Sequence, residues 1–138
     1  MQSTQSKLKI LFFSEAVTFA HIARPYLLAA NLNPEYFDVH FAVDRSFDFI
    51  FSSAENGSSI TRWPLQSVSP SKFQEILRRG AELFPEERVL EYVEEELALI
   101  EQIRPDVIVG DMRISLGVSA AFARVPLVTI TNASWSPF

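Results

Sequence analysis

The stretch Pro105–Ile130, PDVIVGDMRISLGVSAAFARVPLVTI, decides the fold. Pro105-Asp106 breaks the preceding element, and Val107–Gly110 is an apolar run of strand length. Asp111 follows. Ile114–Arg124 then reads as a helix with Gly117, Ser119, Ala120, Ala121 and Ala123 on one side, and Leu127–Thr131 as another strand. A strand, a helix and a strand in this succession imply a right-handed crossover between parallel strands.

The same alternation continues toward the beginning of the chain. Pro85–Arg104 is the clearest helix. Val89, Val93, Leu97, Ile100 and Ile103 share one face, while Glu87, Glu91, Glu94, Glu95 and Glu101 lie largely off it, which predicts a solvated acidic face. Ser69-Pro70 marks a helix start, with Ser69 as cap and Pro70 at the first helical position, and this helix is expected to run to about Arg79. Ser58–Trp63 is a weak strand after the turn signal Glu55-Asn56-Gly57, and Phe37–Val43 is an alternating strand. Leu8–Ser14, LKILFFS, lacks clean alternation, as in strands buried on both faces. Ala20–Leu32 is a helix ended by Asn33-Pro34, and Pro25 predicts that its first turn lies close by. The expected fold is α/β: one domain over residues 1–138, with an open parallel Rossmann-like sheet of about five strands in order 3-2-1-4-5 and helices on both faces.

Composition narrows the function. Hydrophobic residues make up 48% and charged residues 21%, a globular balance that excludes disorder. Most of the twelve phenylalanines are expected to fill the core. The net charge is −5 with no basic cluster, which argues against nucleic-acid binding. With no cysteine there is no disulfide, thiolate metal site or cysteine nucleophile, and two histidines are too few for a histidine-rich metal site. Met1–Lys9 is polar and leads directly into a strand, and no apolar run approaches the roughly 20 residues of a membrane span. The expectation is a soluble, cytoplasmic chain.

Open parallel sheets bind ligands beyond the carboxyl ends of their strands, which points to Ser14–His21, Asp44–Phe51, Asp111–Ser115 and Asn132–Phe138. The first of these loops, within SEAVTFAHIARP, contains no glycine, so it is neither a dinucleotide-binding loop nor a P-loop. His21 stands near the start of the first helix. It is either a locally packed or capping histidine, the commoner case, or a neutral imidazole able to take a proton from a hydroxyl. Asp111 is either a helix N-cap or a carboxylate that orients His21 and stabilises the imidazolium. In a 3-2-1-4-5 sheet the first and fourth strands are neighbours, so the two residues can meet.

The order of a strand, then FAHIARP, then PDVIVGDMRISLGVSAAFARVPLVTI resembles the N-terminal, acceptor-binding domain of inverting family 1-like glycosyltransferases with the two-domain GT-B fold. The likeness runs from about Lys9 to Thr131. That family's G-H-x-x-P motif is matched at Ala20-His21-Ile22-Ala23-Arg24-Pro25, with alanine for glycine and the proline one position late. Its later P-D-x-(apolar)-D segment and following I/V-P are matched at Pro105, Asp106, Asp111, Val125 and Pro126. The resemblance implies that His21 is the general base, that Asp111 supports it, and that a sugar passes from a nucleotide diphosphate sugar to a small-molecule hydroxyl with inversion. It implies no cofactor and no metal. It also implies a C-terminal nucleotide-sugar-binding domain, in cis or as a partner subunit. Without that domain this chain is expected to be a fragment or split-enzyme subunit, inactive alone.

Acceptor contacts are expected from Phe47, Phe49 and Phe51 after the second strand and from Trp135 and Phe138 after the fifth, with loop packing or surface exposure as the alternatives. Arg24 and Arg113 are candidates for an anionic group, with surface placement the expected reading of both. The competing functions are a non-catalytic flavodoxin-like or receiver-like interaction domain and the N-terminal half of a sugar-nucleotide epimerase.

Overall fold

The computed structural model describes residues 6–52 and 59–135. Its strands are β1 (Leu8–Ser14), β2 (Phe37–Val43), β3 (Ile60–Pro64), β4 (Val107–Asp111) and β5 (Leu127–Ile130). Its helices are α1 (Ala20–Ala30), α2 (Phe49–Ser52), α3 (Pro70–Arg79), α4 (Glu86–Ile103) and α5 (Leu116–Ala123). The strands form one parallel sheet in the order β3-β2-β1-β4-β5, as expected. The turn signal at residues 55–57 lies outside the described residues.

Side chains along β1 point alternately to the two faces of the sheet, so one strand builds two cores. Ile10 and Phe12 join Phe41, Val109 and the inner side of α1, Ile22, Tyr26 and Ala29. Leu11 and Phe13 join Ile108 and the helices of the other face, through Leu99, Ile100, Ile103, Leu116 and Ala120. A strand buried from both sides must be apolar on both sides, which explains the missing alternation in LKILFFS. The edge strand β3 ends in Pro64, a place where a proline costs no interior ladder bond.

Two expectations are corrected. Pro25 sits in the second turn of α1, which begins five residues before it. The carbonyl that it leaves without a helical partner is that of His21, in the first turn. That turn is closed instead by the amides of Ile22 and Ala23 on the Phe19 carbonyl, at 3.1 and 2.9 Å. The buried face of α4 is Tyr92, Glu96, Leu99, Ile100 and Ile103; Val89, Val93 and Leu97 are only half-buried. The helix is rotated from the expected phase because Glu96 has partners inside the protein. Glu87, Glu91, Glu94 and Glu101 are exposed, as expected for a solvated acidic face.

Candidate active site

The site lies where β1 and β4 end together. Phe13 pairs with Gly110 and Ser14 with Asp111. Asp111 is the last residue of β4 and does not cap a helix; the residue preceding α5 is Ser115. Its side chain leaves the sheet on the same face as Val109, toward α1. Gly110 faces the other way. A Cβ there would stand 2.4 Å from Leu116 Cδ1, so a larger residue would make the Leu116 side chain shift.

His21, in the first turn of α1, meets Asp111 with 2.8 Å between Nδ1 and Oδ1. Arg24, one turn later on the same face, donates from Nε to Asp111 Oδ2 at 3.0 Å and from Nη2 to Oδ1 at 2.8 Å. Its Nη1 donates to Asn132 Oδ1 at 2.7 Å, beyond the end of β5. Asp111 is fully buried; the side chains of His21 and Arg24 are 16% and 35% exposed. Arg24 Nη2 also lies 2.9 Å from His21 Nδ1. When Nδ1 carries the ring proton and donates it to Asp111, Nε2 keeps its lone pair and can accept a proton from a hydroxyl.

These groups border a shallow cleft lined also by Met112, Ile114 and Ile130. Its internal volume is about 80 Å³. Met112 adopts a left-handed backbone, φ 56°, between Asp111 and Arg113. This reversal sends the two neighbouring side chains to different sites.

Arg113 is not on the surface as expected. It is buried, and its guanidinium is taken up by carboxylates: Nη1 donates to Glu15 Oε2 at 2.9 Å and Nε to Glu96 Oε1 at 2.7 Å. It lies over the Tyr92 ring at 3.4 Å. Glu96 also accepts from Ser115 and Ser119 hydroxyls, and Glu15 from the Val68 amide and Tyr92 hydroxyl. Arg113 therefore belongs to the scaffold that ties the β1 loop to α4 and α5, because its Nε and Nη1 donate to those acids and to the Gln66 carbonyl. Burial raises the Glu15 carboxyl above its usual range, with the Arg113 charge opposing it. Burial likewise raises Glu95, opposed by the Gln66 amide, and raises the Tyr92 hydroxyl, reinforced by the Glu15 charge.

The aromatic candidates divide. Phe51 is buried in the core, edge-on to Tyr26 and Phe41, and so is closed to an acceptor. Phe47 packs partly against that core, and Phe49 is exposed. The Trp135 side chain and Phe138 lie outside the described residues. His40 accepts from Trp63 Nε1 at 2.9 Å and does not line the cleft. Sequence reading missed Glu15, Glu96 and Asn132 as partners. Glu96 had a signal: it follows Tyr92 and precedes Ile100 at four-residue spacing, and an acid on an apolar stripe requires a buried donor. Among the described residues no three acidic or histidine side chains converge as a metal site, and no helix is long and apolar enough to cross a membrane.

The five-stranded parallel sheet, with a histidine–carboxylate pair beyond the ends of β1 and β4, makes this a Rossmann-like domain. No family model matches the chain. Curated relatives do. The chain is 37% identical over 130 residues to a PGL/p-HBAD biosynthesis rhamnosyltransferase of Mycobacterium bovis, covering 94% of this chain and 28% of the relative. It is 40% identical over 132 residues to a PGL/p-HBAD biosynthesis glycosyltransferase of Mycobacterium tuberculosis, covering 94% and 29%. An M. bovis relative named as an inactive PGL/p-HBAD biosynthesis glycosyltransferase is equally similar, 40% over 132 residues, with 34% of its length covered. The chain thus spans about a third of these relatives' length. Among solved structures, Glycyrrhiza uralensis UGT73P12, complexed with glycyrrhetinic acid 3-O-monoglucuronide, superposes with a TM-score of 0.66 at 22% identity, over 93% of this chain and 29% of that one. The Streptomyces sp. SF2575 glycosyltransferase SsfS6 superposes with a TM-score of 0.52 at 17% identity, over 88% and 38%. The chain shares the Rossmann-like fold of part of these two structures, and its sequence relatives are PGL/p-HBAD glycosyltransferases.

Proposed function

We propose that this chain is the N-terminal, acceptor-binding domain of an inverting glycosyltransferase. His21 removes the proton of an acceptor hydroxyl through Nε2. The oxygen attacks the anomeric carbon of a nucleotide diphosphate sugar, and the nucleotide diphosphate leaves with the bonding pair. Asp111 holds the Nδ1 proton and stabilises the imidazolium. The 2.8 Å contact between His21 Nδ1 and Asp111 Oδ1 carries this reading.

The donor and leaving group belong to a second domain, in cis or as a partner subunit. A cleft of about 80 Å³ supports this division, since complete ligand sites hold roughly 300–1,000 Å³. The apolar walls Met112, Ile114 and Ile130 favour an apolar, hydroxyl-bearing acceptor. Of the aromatic candidates after the second strand, Phe49 is the exposed one, but it does not line the cleft. A cytoplasmic location suits an enzyme that uses a nucleotide sugar.

The test uses the full-length enzyme with a nucleotide diphosphate sugar and an apolar acceptor bearing a hydroxyl. The expected product has the anomeric configuration opposite to the donor, read by proton NMR. His21→Ala is expected to lower kcat by about 10²–10⁴-fold while the fold stays intact. Wild-type turnover in that variant removes His21 as the base.

A further inference from the structure

We infer that Arg24 is a positioning residue for the His21–Asp111 pair, an inference that rests on the function proposed above. Arg24 does not reach the reacting oxygen. It acts on Asp111, whose two oxygens it grips through Nε and Nη2. A fully buried carboxylate must be paired, and among the described residues Arg24 is the lysine or arginine that pairs with it. Oδ1 is shared between His21 and Arg24, whereas the bond to Oδ2 comes from Arg24 Nε. Without Arg24, Oδ2 would be buried with no donor and the carboxylate would be free to turn away from the ring.

The third donor of the guanidinium explains how the fork itself is held. Nη1 bonds Asn132 Oδ1, so one side chain joins α1, the end of β4 and the segment after β5. Arg24 is thereby fixed from two strands while it rides on the helix that carries His21. Lysine cannot reproduce this, because a single ammonium offers no planar fork.

The position of Nη2, 2.9 Å from His21 Nδ1, adds a constraint on the ring. Nδ1 either donates to Asp111 or accepts from Arg24, and only the first state leaves Nε2 free to act as base. The Arg24 fork holds Oδ1 where it can accept the Nδ1 proton of the competent state.

The experiment is a double-mutant cycle in the full-length enzyme. Arg24→Met is expected to lower kcat by about 10²-fold with KM within about twofold, the signature of lost alignment. Arg24→Lys is expected to restore only part of the rate. In a His21→Ala background, Arg24→Met should change the residual turnover by no more than about twofold, because its target is gone. An equal loss in both backgrounds, or a change confined to KM, overturns the inference in favour of a structural role or a direct acceptor contact. If Arg24→Met fails to fold by circular dichroism, Arg24→Lys carries the same comparison. The two readings fail separately. An active His21→Ala enzyme defeats the base, while an inactive His21→Ala enzyme beside an unimpaired Arg24→Met enzyme defeats only the positioning role.

Discussion

Asp111 pairs with Ser14 across the β1–β4 ladder, and this register sets its Oδ1 2.8 Å from His21 Nδ1, 90 residues away in sequence. The contact follows from two adjacent parallel strands that end at the same level. It gives the carboxylate a defined task, which an asparagine of the same shape would perform wrongly. Asp111→Asn is expected to present its amide to Nδ1, favour the Nε2-protonated ring, and lower kcat by at least about 10²-fold. Histidine nitrogen spectra of the 15N-labelled chain check the tautomer independently of activity. An unchanged ring spectrum in the variant would contradict the assignment.

The Arg113 cluster makes a stability prediction. Arg113 is the cation paired with both Glu15 and Glu96, whose side chains are fully buried. Arg113→Met keeps much of the volume but leaves two acids without their cation. The expected cost is about 3–5 kcal/mol, a large share of a typical domain's roughly 5–15 kcal/mol. Urea unfolding followed by circular dichroism measures it. A loss below about 1 kcal/mol would mean that the acids find other compensation.

The burial of Glu15 predicts the sign of a pH dependence. Burial raises its pKa in the folded chain above the reference value of 4.5. Between the reference and the raised value, the folded state therefore binds more protons than the unfolded one. The contribution of Glu15 to stability must fall as pH rises through that window, and level off above it. The difference in unfolding free energy between wild type and Glu15→Gln isolates this term from other groups. That difference, wild type minus variant, is expected to decline from pH 4.5 upward. A rise would reverse the assigned balance between burial and the Arg113 charge.

Gly110 tests how tightly the site is backed. Its missing Cβ is the space that Leu116 Cδ1 occupies. Gly110→Ala forces the buried Leu116 off its position and is expected to cost about 1–3 kcal/mol. Because Asp111 is the next residue, transfer should also weaken. Thermal melts and kcat measured on the same preparation would show whether the two losses travel together.

The alternation of apolar runs with amphipathic ones determined the parallel sheet, and the strand order observed is the order expected. Local patterns suffice for this because burial on both faces leaves a run such as LKILFFS with no polar side, whatever its neighbours are. The loop without glycine likewise excluded the usual phosphate cradles before any coordinates. The side chains that meet were decided by tertiary structure alone. His21, Arg24, Asp111 and Asn132 come from three segments, and their contacts depend on strand register and helix phase together. The phase of α4 shows the limit most clearly. Counting apolar residues placed Val89, Val93 and Leu97 inward, yet the buried stripe runs through Tyr92 and Glu96. A carboxylate turns inward only when a cation waits there, and Arg113 arrives from 17 residues further along, held by a left-handed turn at Met112. Periodicity sees the helix that carries Glu96, but the free energy that rotates it comes from the partner.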